Sequence, residues 1–374
     1  MLVAYMLMFG LSGRIGSPSI SSHPFLHLEQ SQAQVRLAFP RSSQAGAARD
    51  PVNGVPFSDF CNVDIRDRGE MYTRFSVHVP DRSYRAVASK AGTFLAALWG
   101  MANDRYGRLC ARLREKSIDV WIMRTGEAGG ELKQENLYVY NINSDRTGLE
   151  WARELAHEYG HYLLPGASGY TDPESWSNGV LGERLFLGWL LDDLRARKID
   201  PDDLPFVKLE DLEKYCVKQT WPLIERVRTG GIDPRLIAKN DRMAMDTFTS
   251  LLLYADRTYG GVSIIEMLEY LPKDRIGAVG GIAFLGAFKA WLSTKRSFDT
   301  ALPSNRTILV YFPVGEYSAV RIATNPANPG AQGATRLSVK LPGWKPVKFI
   351  DKATEVRLRW TRIAQKPASI GGNR

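Results

Sequence analysis

The chain has 374 residues, with 49 Lys and Arg against 40 Asp and Glu and a formal charge of +9. Its composition, 44% hydrophobic and 24% charged, is that of a globular protein and excludes a disordered or fibrous one. No apolar run approaches the ~20 residues that a bilayer requires, so an integral membrane protein is excluded too. This length predicts two or three domains.

Three cysteines, Cys61, Cys110 and Cys216, are too few and too scattered for a disulfide framework, and no CxxC is present. At most one bridge is expected, between Cys61 and Cys110. The charge is unevenly placed: residues 335–374 hold ten Lys and Arg against two Asp and Glu, leaving the first 334 residues almost neutral. The basic character therefore belongs to the C-terminal end and does not make the whole protein a polyanion binder.

Residues 2–11 form an apolar stretch that reads as an export signal, giving a secreted or extracytoplasmic protein, although the cationic n-region and an A-x-A cleavage site are missing. From 12 to about 50 the sequence is rich in Ser, Ala, Gly and Gln without periodicity, and 1–54 is expected to be a flexible leader. Met71, Thr73, Phe75, Val77 and Val79 then alternate with polar residues as a half-buried strand does. His78 falls on the polar face. A helix follows from about Ser83, with Ala91, Phe94, Leu95, Leu98 and Ala102 on one side. Two short strands, 118–123 and 136–142, are divided by a turn region at Gly129-Gly130.

The next helix is bounded by a capping box, Thr147 with Glu150, and by a stop at Pro165-Gly166. After a short loop, Asp172 as N-cap and Pro173 at the first position predict another helix to about Lys198. Residues 204–295 look wholly helical, with starts at Asp233-Pro234 and at Ser263, which Glu266 answers as a second capping box. Beyond Pro303 come five short strands at 308–312, 318–322, 336–341, 347–350 and 355–360. The last presents Arg357, Arg359 and Thr361 on one face, which suits docking to an anionic surface or a solvated strand. No nucleic-acid-reading motif accompanies the charge.

Inside the capped helix lies His157-Glu158-Tyr159-Gly160-His161, an H-E-x-x-H holding two of the five histidines in the chain. Residues four apart stack on one helical face, so both imidazoles can reach one metal ion, and imidazole suits Zn²⁺. Glu158 is offset by roughly 100° and can serve as general base to a metal-activated water. No histidine follows His161, so a downstream third His ligand is excluded.

The run ELAHEYGHYLLPG resembles the active-site helix of the zincin metallopeptidases. The preceding order of backing helix, central strand and edge strand is similar to the zincin N-terminal lobe. The resemblance covers about residues 118–187; with the pattern of elements along the rest of the chain the expected fold is α+β: a zincin-like small mixed sheet with the ligand helix at 55–166, a helical lobe at 167–300, and a small all-β basic module at 301–374. It also implies that the edge strand, here 136–142, holds an extended peptide by β-augmentation. Glu154, three residues before the first histidine, departs from the family, which carries an uncharged residue there. It reads as an acceptor behind the ligands or as a solvated charge.

Leu164 and Ala167 stand where a metzincin-like site needs Gly and His, so the third ligand is expected to be a carboxylate or to come from upstream; the spacing to Glu183 is similar to that of the gluzincins, whose third ligand is a Glu on the next helix. Glu183, 22 residues after His161, shares the apolar stripe of Trp176, Val180, Leu187, Leu190 and Leu194 and is the preferred ligand. Glu174, 13 residues after His161, is the alternative, and Asp172 reads better as a cap. Tyr254, Arg257, Tyr259 and Tyr170 are candidates to stabilise an oxyanion. The resulting expectation is a zinc metallopeptidase, a hydrolase acting on a peptide or protein. The alternative is a zincin-fold binding or assembly protein that keeps its metal but turns over little.

Overall fold

Alternation along residues 59–79 builds a pair of long strands, and an apolar helical face lies across them. The computed structural model describes residues 34–39, 48–67, 70–115, 117–126, 129–272, 279–322 and 335–363. The export segment 2–11, most of the leader, and His23 and His27 lie outside the described residues.

The N-terminal strands are β1 (Gln34–Ala38), the small hairpin β2 (Ala48–Arg49) and β3 (Pro56–Phe57), then β4 (Asp59–Asp67) and β5 (Glu70–Val79). Helix α1 (Arg85–Tyr106) leads to β6 (Ile118–Ile122), β7 (Gly130–Lys133) and β8 (Asn136–Val139). Six of these strands form one sheet in the order β1-β4-β5-β6-β8-β7. Strands β5, β6 and β8 run parallel, while β4 is antiparallel to β5 and β7 to β8. Val63, Phe75, Val77 and Val120 are buried on one face with Ala91, Phe94, Leu95 and Leu98 of α1, so the apolar alternation meets the apolar helix stripe. The other face carries a smaller cluster of Phe57, Trp121, Met123, Tyr138 and Tyr140.

One expectation changes here. The sheet edge is β7, and the 136–142 segment supplies β8, an interior strand paired on both sides. The GELK run has no alternating apolar pattern, and the turn joining it to β8 places Gln134 and Glu135 at positive φ (50° and 62°) without a Gly or Asn to signal it. His78 has a structural setting on that face: it is 9% exposed, stacks on Trp121 at 3.9 Å between ring centroids, and its Nε2 lies 2.9 Å from Asp119.

Helix α2 (Gly148–Leu163) begins with the expected capping box, Thr147 and Glu150 exchanging side-chain-to-backbone bonds. The following helix, α3 (Asn178–Arg195), starts five residues later than the Asp172 cap predicts. Then come α4 (Leu209–Tyr215), a π-helical turn over Cys216–Thr220, and α5 (Trp221–Gly230). Pro222 has no N–H to return to the carbonyl a turn behind it, and the widened π turn sits where that bond is lost. The set is completed by α6 (Pro234–Ile237, capped by Asp233), α7 (Arg242–Tyr259), α8 (Val262–Glu266) and α9 (Gly281–Thr294). The expected box at Ser263 does not form. Ser263 is buried, and Glu266 instead accepts from Trp291 Nε1 (2.9 Å) and Lys295 Nζ (2.7 Å).

Six strands close the chain: β9 (Ser297–Pro303), β10 (Thr307–Phe312), β11 (Gly315–Arg321), β12 (Thr335–Val339), β13 (Gly343–Lys348) and β14 (Glu355–Ile363). They form a sheet in the order β12-β11-β14-β9 and a β10-β13 pair. Val356, Leu358 and Trp360 of β14 face the core, as alternation requires. The architecture is α+β, and among the described residues no helix is long and apolar enough to cross a membrane. Cys61, Cys110 and Cys216 are all buried free thiols, so the Cys61–Cys110 bridge is absent.

Candidate metal centre

His157 and His161 occupy successive turns of α2, and their Nε2 atoms lie 3.2 Å apart. Helix α3 comes close enough to cover them because glycines meet at the crossing. A Cβ on Gly182 would lie 2.4 Å from Gly160 Cα, and one on Gly179 only 2.3 and 2.4 Å from the Nε2 atoms of His161 and His157. No other residue type leaves that space open.

The loop between the two helices is held by a bridge from Ser168 to Trp176 and by the Ser177 hydroxyl, which donates to the Ala167 carbonyl at 3.0 Å and accepts from its N–H at 2.9 Å. Glu174 leaves this loop towards α2. Its Oε1 accepts from the Val180 N–H in the first turn of α3 (3.2 Å), doing the capping work expected of Asp172. Its Oε2 lies 3.1 Å from both His157 Nε2 and His161 Nε2. Burial alone would raise the Glu174 carboxyl, but the two imidazoles outweigh it and hold the group ionised.

Glu183 lies on the core-facing stripe, 7% exposed, and sits behind His157. Its Oε1 accepts from Arg153 Nε and Tyr215 Oη, both at 2.7 Å, and its Oε2 is 3.7 Å from His157 Nδ1. The cations compensating this buried carboxylate are thus Arg153 and its neighbour Arg184 (4.0 Å), and it faces the ring nitrogen opposite the one Glu174 meets. Asn178 Oδ1 takes the matching place behind His161, 2.8 Å from Nδ1, and its amide is fixed by the carbonyls of His161 and Leu164. The acceptor at His161 Nδ1 favours the imidazole proton there and turns its Nε2 lone pair inward, while the Glu183 carboxylate faces His157 Nδ1 from beyond hydrogen-bond distance.

Glu158 is 2% exposed, and its Oε2 has no hydrogen-bond partner among the described residues. Burial pushes its carboxyl up to about 7, against the lowering effect of His161 and His157. Edge strand β7 passes directly over it: a Cβ on Gly130 would be 2.8 Å from Glu158 Cγ and 2.9 Å from Glu154 Oε1. Glu154 is half-buried beside that strand, and burial raises its carboxyl as well.

His157, Glu158 and His161 bring ligand-capable atoms within 4.8 Å of one another and could hold a metal ion. The fit is testable on the geometry itself. Ligands about 2.0–2.1 Å from a tetrahedral metal are about 3.3–3.4 Å from each other. The Nε2–Nε2–Oε2 triangle, with edges of 3.2, 3.1 and 3.1 Å, is within a few tenths of an ångström of that spacing. The space over it is kept clear by Gly179.

Three of the expected oxyanion donors are engaged elsewhere. Tyr254 and Tyr259 donate to the carbonyls of Leu309 (3.0 Å) and Tyr311 (3.3 Å), and Arg257 pairs with Asp192. Tyr170 is buried with its hydroxyl against Gly281. Arg153, Tyr215 and the His161-facing role of Asn178 were not anticipated. Arg153 lies four residues before His157 on the same face, a signal the sequence did carry, whereas nothing in the sequence brings Tyr215 to this place.

No family model matches the chain, and no curated protein matches it. Among solved structures it is similar to aminopeptidase A of Legionella pneumophila in complex with aspartic acid, at 12% identity and a TM-score of 0.33, over 90% of this chain and 36% of that one. The chain thus spans about a third of the length of that structure.

Proposed function

We propose that the chain is a zinc-dependent peptidase of the zincin type with a gluzincin-like ligand set, His157, His161 and Glu174. The observation that carries the reading is the contact of one Glu174 oxygen with both Nε2 atoms, next to the buried, unpartnered carboxylate of Glu158. Glu183 then acts through His157, orienting its ring from Nδ1 with Arg153 and Tyr215 behind it, as Asn178 orients His161. A peptide or protein substrate pairs with β7, the free sheet edge beside Glu158, in place of the 136–142 segment.

Zinc bound at these residues supplies Lewis acidity at the scissile carbonyl and acidifies water at the site. Glu158, from its orphaned Oε2, takes the proton of the attacking water and delivers it to the leaving amine. Its raised proton affinity suits both halves of that transfer. The burial that raises it also keeps bulk water from competing.

One observation favours the alternative, a metal-holding binding protein: Tyr254, Tyr259 and Arg257 are all committed to structural contacts. Glu158→Gln separates the two. It is expected to retain zinc, measured by elemental analysis, and to lower cleavage of a mixed peptide library by about 10²–10⁴-fold. Zinc-loaded protein that cleaves no peptide, or an E158Q variant as active as the parent, would sink the peptidase reading.

A further inference from the structure

Glu154 stands one turn before Glu158 on α2, so the two carboxylates share the helical face that lies under β7. Gly129 and Gly130 let the strand cross them closely. A Cβ on Gly129 would lie 3.1 Å from Glu154 Oε1, and one on Gly130 would collide with both acids. Glu154 is half-buried, yet it has no hydrogen bond or ion pair among the described residues. The cations whose charge reaches it are engaged elsewhere. His157 meets Glu174, Arg153 pairs with Glu183, and Arg146 lies over the Trp151 ring and donates to the Gly129 carbonyl (3.4 Å). A carboxylate withdrawn from water without a paired cation is costly.

The bonding pattern of β7 brings a bound strand to this carboxylate. The Tyr140 N–H donates to the Gly129 carbonyl (3.0 Å), whereas Val139, opposite Gly130, gives its carbonyl to the Met123 N–H. Bonded and unbonded pairs alternate in an antiparallel ladder, so the backbone groups of Gly130 and Leu132 turn to the open edge. A peptide pairing there sets one residue opposite Gly130. Directly opposed residues project to the same face, with Cβ atoms about 5 Å apart. For Gly130 that face holds Glu154 and Glu158. One helical turn, about 5.4 Å, spans less than two residues of extended chain at about 3.4 Å each. The residue meeting Glu154 therefore lies within two positions of the bond that Glu158 addresses.

We infer that Glu154 is a specificity residue selecting a cationic group of the substrate: a Lys or Arg side chain beside the cleaved bond, or the α-amine of a peptide that begins there. The inference rests on the peptidase reading and on β7 as the strand that holds the peptide. A charge-assisted bond from an ammonium or guanidinium would supply the partner that the fold withholds from Glu154.

The test measures binding apart from turnover, by calorimetry on zinc-loaded E158Q protein. The probes are short alanine peptides in two sets. In the first, acetylated and amidated peptides carry a single Lys or a single Gln at each position in turn. In the second, a free N-terminal amine is compared with its acetylated form. The cationic member is expected to bind about tenfold tighter at one position of the first set or in the second set. Glu154→Gln should bring that ratio close to one by weakening the cationic member alone, and Glu154→Asp, which keeps the charge, should retain part of it. A preference confined to the first set assigns the cation to a side chain, and one confined to the second assigns it to the chain terminus. Equal binding within both sets, no binding of any probe, or a preference that Glu154→Gln leaves intact overturns the inference. Failure of the peptidase reading shows separately, as absence of hydrolysis by the parent protein.

Discussion

Glu174 and Glu183 stand on opposite sides of the same imidazole, and their chemistry separates accordingly. Glu174 meets Nε2 of both histidines, while Glu183 faces only Nδ1 of His157 and is tied to Arg153 and Tyr215. Groups that orient a ligand from behind typically cost 10–100-fold in metal affinity when changed. Glu183→Gln, which keeps the acceptor for Arg153 and Tyr215, should fall in that range, and Glu174→Ala should cost more because it deletes a donor from the triangle. Chelator competition with zinc gives the order directly, and the reverse order would return Glu183 to the ligand set. Protonation adds a second expectation. In the metal-free protein burial opposes a charge on His157, but Glu174 and Glu183 prevail and raise it to about 10, with Glu158 adding to their effect. Burial itself raises Glu158 to about 7. Both folded values lie above the unfolded ones of about 6.5 and 4.3. Their contribution to stability is therefore full below the unfolded values and lost as pH rises through the folded ones. Zinc must displace the His157 proton, so its affinity moves the other way and increases with pH. The gap in melting temperature between zinc-loaded and metal-free protein should widen between about pH 6 and pH 9; a gap that narrows would contradict the assignment.

Between elements, the decisive feature is how closely α2 and α3 approach, and three glycines set it. At the crossing, Gly160 and Gly182 pack backbone on backbone, so Gly182→Ala has to push the helices apart at a cost of about 1–3 kcal/mol. Gly179→Ala differs, because the atoms its methyl would meet are the Nε2 ends of His157 and His161. It should lower zinc occupancy while leaving thermal stability of the metal-free protein nearly unchanged. Measuring both quantities on both variants tells a packing glycine from a site glycine. Helix α2 was legible because its signals are local: the Thr147–Glu150 cap, the four-residue histidine spacing and the stop at Pro165 all lie within one element. The Glu174 contact was not legible, because it depends on a loop closed by Ser168, Trp176 and Ser177, which delays the start of α3. Helical periodicity could only rank Glu183 by its stripe, and a buried carboxylate on that stripe proved to be answered by arginine. Strand β7 was missed for a related reason. Its order comes from pairing with β8, not from its own four residues.

For the whole molecule, the sequence suggests a small basic β module, and its strands pack against the helices. Some of the positive charge is answered locally: Arg359 pairs with Asp299 on β9, Arg321 with Asp351, and Arg362 lies over the Tyr317 ring. The outward face of β14 is thus partly neutralised, which weakens the case for docking on an anionic surface. Strands β10 and β13 close over an aromatic cluster whose other half is helical. Trp344 lies 5.4 Å from Tyr254 and 6.2 Å from Phe288 between ring centroids, and it fills the space against Gly231. The buried hydroxyls of Tyr254 and Tyr259 find their acceptors on β10. Removing the strands would leave those hydroxyls unpaired and expose the rings of Tyr254, Tyr259, Phe288 and Trp291, a surface that cannot stay monomeric in water. A chain ending after residue 296 is therefore expected to aggregate or to lose cooperative unfolding. In the full chain, Trp344→Ala should destabilise by about 2–4 kcal/mol, less than a fully buried tryptophan because Trp344 is only partly buried. Both outcomes are read by size-exclusion chromatography and calorimetry. A truncated protein that stays monomeric and melts at the parent temperature would show that the helical lobe folds alone and that the β strands are an appendage.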